Sequence, residues 1–579
     1  MKSHTADSVA LQVRAGQPLA DGALLQLDLT GANLAGANAD KTMAVSTRFD
    51  RATLSNATFR DAQVAQCQFT GARLDHAMLD GATFAQCVFT DAVFDGASMV
   101  RTSLPMATLA GATFAGADLT EATLMRASGA GNFTRARLLR ASLCSSELDG
   151  ARFDRADLAQ SLLDESALRN ASFVGARLMQ AGVRGSTLDG ADLRDSDCQQ
   201  TSFDRSSMRD ADLAGAVITG ATFTDCNLHG ARLPDDLSSC CFDGATFADG
   251  PSFAGKRLAG ATFVGCRLRR ADFSNCDASG AVFLDCDLDG ASFDGADLRR
   301  ASFVGASLPG VVFTAHLLEQ TDFSNAHLAS ARFVQCSVQA AQFGHATLSH
   351  ATFDRTELRQ AGFDHATIDG LQLVNSTFTG VGLQNLDLRG LALAGLVMTY
   401  CDFSGSTLTG MNLAGCDFTG CQFADAQLDG VTLDGATLDM AKLVRAQLAG
   451  ASLRGVQAEA AYFGDAVLAG ANLTQAQLRH ATFAGADLSR VTANEAVLRE
   501  IVAPTATLRD GRFIKADLRF ADLSHATLDL AVFDAADLSG AVMHNVSDAG
   551  ASFTGANLAN VRGTDEARLA AERFEPPAA

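Results

Sequence analysis

The sequence predicts an all-β fold, a four-sided parallel β-helix capped at both ends, and three observations carry that expectation. A large apolar residue recurs every five positions: Phe49, Leu54, Phe59, Val64, Phe69, Leu74, Leu79, Phe84, Phe89, Phe94. Two places before each, from Leu54 on, stands a small residue: Ala52, Ala57, Ala62, Cys67, Ala72, Ala77, Ala82. The flanking positions are rich in Asp, Asn, Thr, Ser and Arg. A period of five excludes an amphipathic helix, because each unit would move the apolar position about 140° around the cylinder. Within one unit, however, Ala-x-Leu is in-out-in, the two-residue period of a strand. The two positions left over must turn a corner. Pro105, Pro234, Pro309 and Pro504 fill the first of them and Gly is common at the second, the preference of a type II turn.

The number of sides follows from the phenylalanines. Between Phe253 and Phe363 the central residues alternate Phe with Leu-type residues, a ten-residue period. Four sides of five residues place Phe on two opposite walls and Leu on the other two. Three sides would mix them on every wall. The pairs Cys67/Cys87, Cys266/Cys286 and Cys401/Cys421 share the same spacing of one four-sided coil.

Taken in order, residues 1–23 read as an N-terminal cap built on SVALQVRAGQPLADG. Residues 24–129 form a first helical segment, ending at the slip Gly129-Ala130-Gly131-Asn132, where one residue is missing and a kink or rotation is expected. Residues 130–233 form a second segment. Residues 234–252, around PDDLSSCCFDGATFADGP, lose the pattern and read as an irregular surface loop. Residues 253–558 form a third segment, and from Phe133 to Leu558 the frame never needs resetting. In residues 559–579, Thr564-Asp565-Glu566 followed by ARLAAERF reads as an N-capped helix ending before Pro576-Pro577. About 27 coils at ~4.8 Å each make a rod of ~130 Å.

Composition narrows the function. The 579 residues include 37 Phe, 2 Tyr and no Trp, a repeat signature and not that of several enzyme domains. No apolar stretch nears the ~20 residues of a membrane helix. MKSHTADSVA has no signal-peptide core, so a soluble, cytoplasmic chain is expected. There is no phosphate-binding G-x-x-x-x-G-K-[ST], no H-E-x-x-H and no G-x-S-x-G on a strand–helix elbow. A convex, filled coil also lacks a pocket, so neither an enzyme nor a cofactor is expected. Ten cysteines (Cys67, Cys87, Cys226, Cys266, Cys276, Cys286, Cys336, Cys401, Cys416, Cys421) replace the inward Ala and read as small hydrophobes, not metal ligands. His345 and His365, one coil apart, with His350 at the next corner, read as solvated.

The ANL, ADL and ATF units over residues ~24–558 resemble the pentapeptide-repeat family. That resemblance implies a right-handed quadrilateral β-helix. It also implies the family's best-known activity, in which acidic rods resemble duplex DNA and occupy the DNA groove of type II topoisomerases. Here the net charge of −21 over ~130 Å is about one charge per ~6 Å, against ~1.7 Å in DNA. Denser acid lies in Asp272, Asp277, Asp285, Asp287, Asp289, Asp294 and Asp297, in residues 390–441 and in residues 520–561. The opening segment VRAGQPLADGALLQLDLTGANLAGAN resembles modules encoded beside type VI secretion spike proteins, which implies an adaptor with spike or effector partners and a route of export.

The expected function is a non-enzymatic protein-interaction scaffold or adaptor, with no membrane and no direct nucleic-acid contact. The alternative is a DNA-mimicking inhibitor or protector of DNA gyrase. A regular wall offers a partner no unique register, so specificity is sought where the repeat departs from itself. Between Leu371 and Tyr400 large residues fill the small inward slot. Leu386, Leu391, Leu396 and Tyr400, beside Asp402, Asp417, Asp425, Asp429, Asp434 and Asp439, form the predicted protein-binding site. The predicted rod gives a maximum dimension above roughly 110 Å in small-angle scattering; a compact globule of this length contradicts it.

Overall fold

The computed structural model describes residues 5–574. The chain divides into two units, Met1–Ala291 and Ser292–Ala579, built on one plan. In the first, helix α1 (Ala6–Arg14) opens the fold, its end closed by a reciprocal Thr5–Ser8 capping box. Val9 is its buried residue, and the Leu19 N–H donates to the Asn38 carbonyl at 2.7 Å. The cap read from the sequence is therefore a helix and a turn.

Parallel pairing then repeats every 20 residues, as in Ala23↔Met43, Met43↔Gln63 and Gln63↔Thr83. Three further columns do the same: Asp28–Arg48–Gln68, Asn33–Thr53–Arg73 and Asn38–Thr58–Met78. These four columns are four walls, called walls 1 (Asp28), 2 (Asn33), 3 (Asn38) and 4 (Met43). Each corner is a tight turn. At one, the Ala57 N–H donates to the Leu54 carbonyl at 3.0 Å while Asn56 has φ 59°, the positive φ of a type II turn. Many second-corner positions carry Arg, Gln, Asp or His instead of Gly, at a cost of about 1 kcal/mol each. The bond from the Asn56 N–H to the Asp75 carbonyl, 3.0 Å and one coil on, is the kind of contact that holds such a corner.

The slip at Gly129 shortens one coil to a 19-residue step, as in Thr113↔Asn132. Gly129 sits at φ 100°, where a Cβ would lie 2.6 Å from the Ala110 nitrogen. The expected kink is not seen on wall 2. Phe94, Phe114, Phe133 and Phe153 stack at 4.8, 4.7 and 4.9 Å with rings within 6° of parallel. One corner absorbs the missing residue.

Residues 234–252 also depart from expectation, because they stay on the walls. Leu237, Cys240, Phe242 and Ala245 are buried. Cys241–Asp243 pairs in parallel with Thr262–Val264, a step of 21, after a step of 19 at Thr222↔Cys241. A missing residue and an extra one cancel, which is why the frame is unchanged beyond. Half-buried Phe247 packs on Phe242 and Phe253 at 5.9 and 5.6 Å, and the Lys256 ammonium braces the turn through the Leu233 and Pro234 carbonyls.

In the second unit the Phe alternation takes the predicted form. Phe313, Phe333 and Phe353 stack on wall 2 at 5.1 and 4.6 Å. Phe323, Phe343 and Phe363 stack on wall 4 at 5.2 and 4.8 Å. The two stacks meet edge-on, as in Phe333–Phe343 at 5.8 Å and 88°. The chain ends in helix α2 (Glu566–Glu572), N-capped by Asp565; Pro576-Pro577 lie outside the described residues.

Most polar residues in the small inward slot are hydrogen-bonded, the buried Ser161 hydroxyl being an exception. In the first unit Ser146, Ser166, Ser186 and Ser206 form an internal ladder. The N–H of each of the first three donates to the next hydroxyl at 3.0–3.3 Å. Truncating the Phe stack is the direct test of such a core. Phe333→Ala should cost about 3–5 kcal/mol and speed amide exchange only in adjacent coils, since coils contact their neighbours alone. A uniform rise in exchange along the unit contradicts this.

Candidate protein-binding surface

The aspartates explain themselves from the corners. An Asp at the first corner position can accept the backbone N–H that the coil above leaves pointing outward. Asp429, Asp434 and Asp439 do this, accepting from the Ala449, Arg454 and Glu459 N–H groups at 3.0, 3.1 and 2.8 Å. An outward Asp on a wall instead closes a local turn. Asp402 accepts from the Ser404 N–H and hydroxyl, and Asp417 from those of Thr419. Asp425 is paired with Arg445 at 2.6 Å, and that hydrogen-bonded guanidinium holds its carboxyl below the usual range.

These six carboxylates therefore do not form one face. Asp402 lies on wall 4 and Asp417 on wall 3. Asp425, Asp429, Asp434 and Asp439 follow at four successive corners around the coil. The acid between 272 and 297 is likewise engaged: Arg269 reaches Asp287 and Asp289 at 3.4 and 2.8 Å, and Arg299 pairs with Asp297.

The leucines do not form a surface patch either. Leu386 is only 4% exposed, and Leu391 and Leu396 are half-buried. The oversized side chains widen the coil from within, around an apolar cavity of about 20 Å³ bordered by Leu371, Leu383, Leu388, Leu391 and Met398. Such a void could hold little more than one water and, being apolar, no polar ligand. Wall 2 gives way here: among the described residues Ala392 makes no inter-coil bridge, although Gln372 before it and Asn412 after it do. The large apolar side chains that reach the surface here are Val374, 41% exposed, Val397 on wall 3, 47% exposed, and Tyr400 at the corner between walls 3 and 4, 59% exposed. The Tyr400 ring lies over Gly420, where a Cβ would come within 2.5 Å of it.

Other chemistry-bearing groups are placed as follows. Twelve of the 14 free cysteines are buried, and burial pushes the Cys198, Cys226 and Cys240 thiols up to about 12. His345 and His365 stack at 5.0 Å, with His350 a corner away over Gly370. Sequence reasoning missed a cluster at the C-terminal end. The His525 and His544 Nε2 atoms each lie 3.2 Å from the same Glu572 oxygen, and the three ligand atoms fall within 4.8 Å of one another. His544 Nδ1 accepts the Asp565 N–H at 3.1 Å. Its proton is therefore on Nε2 and points at Glu572, as suits a clamp on α2. A metal at that nitrogen would require the proton to move against the Asp565 N–H. The cue was available only in three dimensions, because His525 and His544 stand 19 positions apart instead of 20 and Glu572 is outside the repeat.

The family model for pentapeptide repeats (8 copies) matches residues 26–63, 67–104, 130–230, 253–314, 341–380, 401–439, 441–499 and 512–547. No curated protein matches the chain. Among solved structures, HetL of the cyanobacterium Nostoc sp. strain PCC 7120, a pentapeptide-repeat protein involved in heterocyst differentiation regulation, is 25% identical. The match covers 40% of this chain and 98% of HetL, with a TM-score of 0.20. A pentapeptide-repeat protein of the Arabidopsis thaliana thylakoid lumen is 32% identical over 19% of this chain and 63% of its own, TM-score 0.12. QnrB1, a plasmid-mediated fluoroquinolone resistance protein, is 18% identical over 39% of this chain and 91% of its own, TM-score 0.17.

The Glu572 clamp has a pH signature. Burial works against the charge, but hydrogen bonds from His544 and Arg568 outweigh it and hold the carboxyl below the usual glutamate range. A lowered carboxylate contributes stability that is present above its unfolded value and lost as pH falls through the folded one. Acidification below the glutamate range should therefore release α2. Glu572→Gln should do so at neutral pH, seen as faster amide exchange over Glu566–Glu572 with the Phe533 coil unchanged; equal protection in both proteins contradicts the clamp.

Proposed function

The chain belongs to the pentapeptide-repeat family, and on that footing we propose that it is a non-enzymatic protein-interaction scaffold whose partners are proteins, with secretion-spike or effector proteins as the preferred class. One observation carries this reading. The inward positions form a continuous buried column of Leu, Phe and Ala along each unit, so the outward lattice of short side chains is what remains for recognition. Such a lattice fixes groups about 4.8 Å apart on a rigid backbone. A protein partner can use it with little ordering cost.

Within the segment first singled out, the contact is assigned to Val397, Tyr400 and Asp417, on wall 3 and its corner. An exposed aromatic beside a half-exposed aliphatic and a carboxylate suits the centre and rim of a protein interface. The leucines act from beneath, by holding that wall. Truncating Leu386 would open the core, so it is a packing variant and not a test of binding.

The competing reading is a mimic of DNA directed at DNA gyrase. It needs carboxylates arrayed along one face to stand in for phosphates, and the Asp groups here are spread around the coil. The experiment is a pull-down with spike and effector proteins from the native host, at low and high salt, beside a gyrase supercoiling assay. Val397→Ser with Tyr400→Ala should weaken partner binding at least tenfold, while exchanging Asp402, Asp417, Asp425, Asp429, Asp434 and Asp439 for Asn should leave gyrase unaffected. Gyrase inhibition by the native chain that the Asn exchange abolishes establishes the mimic instead.

A further inference from the structure

Wall 4 of the second unit carries a different kind of signal from the bulge. Its outward column runs Asp402, Gln422, Lys442, Tyr462, Thr482, Val502, Asp522, Val542, Arg562, each bridged in parallel to the next. Read from Thr482 outward, the column is antisymmetric in charge: Lys442 mirrors Asp522, and Asp402 mirrors Arg562. No two like charges stand at equal distances from the centre. At the adjoining corner with wall 3, Asp439 mirrors Arg519 and Glu459 mirrors Arg499, with Arg479 at the centre, although Arg519 is also paired with Asp517 and Arg499 with Glu500, which faces Ala460 in this register.

The same strip is where the apolar surface collects. Between residues 401 and 520 the large exposed apolar side chains among the described residues are Met440, Tyr462, Val502 and Phe520, and all four lie on this wall or its corner. Under the same mirror Tyr462 answers Val502 and Met440 answers Phe520. On wall 4 Tyr462 and Val502 lie between Lys442 and Asp522, while Met440 and Phe520 stand at the corner on the same levels as those charges.

A column with this symmetry is complementary to itself run backwards. Two copies placed wall to wall and antiparallel, about a two-fold axis at Thr482, set Lys442 of each against Asp522 of the other and Tyr462 against Val502. We propose that wall 4 between Asp402 and Arg562 is the face of an antiparallel homodimer, an isologous interface in which every contact is made twice. Its occupant is a second copy of this chain, because charge complementarity of this register is specific to its own sequence reversed. A regular wall of a different partner has no reason to match it. Arg479 meets its own counterpart at the axis and is offset by the flanking Glu459 of each copy. The facing strip is about 40 Å long at ~4.8 Å per level. With its corner it is of the order of the ~800 Å² per partner that stable interfaces bury. The dimer face and the partner site meet at the corner that Tyr400 shares with Asp402, so the dimer is tested at Lys442, Tyr462 and Asp522, away from that corner.

The test uses the full chain in sedimentation equilibrium, with circular dichroism to verify folding of each variant. The native chain should dimerise, more weakly at high salt. Lys442→Asp alone and Asp522→Lys alone each place like charges across the axis twice and should raise the dissociation constant at least tenfold. The double variant K442D/D522K exchanges the charges and restores both pairs, so it should recover the native constant. A separate variant, Tyr462→Arg, should also dissociate the dimer without unfolding it. A monomer at every concentration, a dimer indifferent to the single reversals, or a double variant no better than the singles overturns the proposal.

Discussion

The rest of this structure depends on the in-register ladder of backbone hydrogen bonds between one coil and the next. A single coil of four three-residue strands buries almost nothing by itself and leaves every outward-facing N–H and carbonyl along the axis unpaired. Stacking satisfies both needs together. The Thr53 N–H finds the Ala32 carbonyl below and the Leu54 N–H the Arg73 carbonyl above, at 2.9 and 2.7 Å. That pairing brings identical positions into contact, so the same residue type must suit the same slot in every coil. Phenylalanine satisfies this by stacking on itself, alanine by leaving room, and serine or cysteine by donating to a carbonyl of the coil below, as Ser166 does to Leu143 at 2.8 Å.

The ladder also explains the surface. Corners demand left-handed backbone, and the chain accepts Arg, Gln, His and even Tyr400 and Phe520 there because bonds above and below over-determine the turn. Larger corner side chains fold over the next coil, where glycine leaves space, as Tyr400 does over Gly420 and Phe520 over Gly540. Acidity is partly a by-product of the same geometry. Corner carboxylates satisfy backbone N–H groups of the next coil and would be favoured whether or not any partner existed. Function must then be sought in departures from the repeat or in relations between levels, not in the charge as a whole.

Much of this was legible in the residues. The five-residue period, the Ala two places earlier and the Phe alternation specify strand, corner and four walls, because each is a statement about one slot repeated many times. What the period does not decide are the places where the chain departs from it. At residues 234–252 a missing residue and an added one cancel, and counting alone cannot distinguish an extruded loop from a coil repacked around Phe247. At Gly129 the missing residue suggests a kink or rotation, yet wall 2 runs through it on an unbroken ring stack. Leu386 is too large for an alanine slot, so on the sequence alone it either widens the coil or is pushed outward. The coil widens, because expelling an apolar side chain costs more than loosening the ladder at Ala392. Glu572 belongs to no repeat, so nothing in the period could pair it with His525 and His544.

The central claim is that neighbours across the ladder are 20 residues apart and not 15. Oxidative cross-linking of engineered cysteine pairs measures this, because a disulfide forms only when Cα atoms lie within about 7 Å. Thr432 and Ser452 face each other on wall 2, whereas Gln447 lies one wall away. Thr432→Cys with Ser452→Cys should cross-link rapidly, as identified by peptide mapping, and Thr432→Cys with Gln447→Cys should not. Cross-linking of the 15-residue pair in place of the 20-residue pair would contradict the four-walled register and the account built on it.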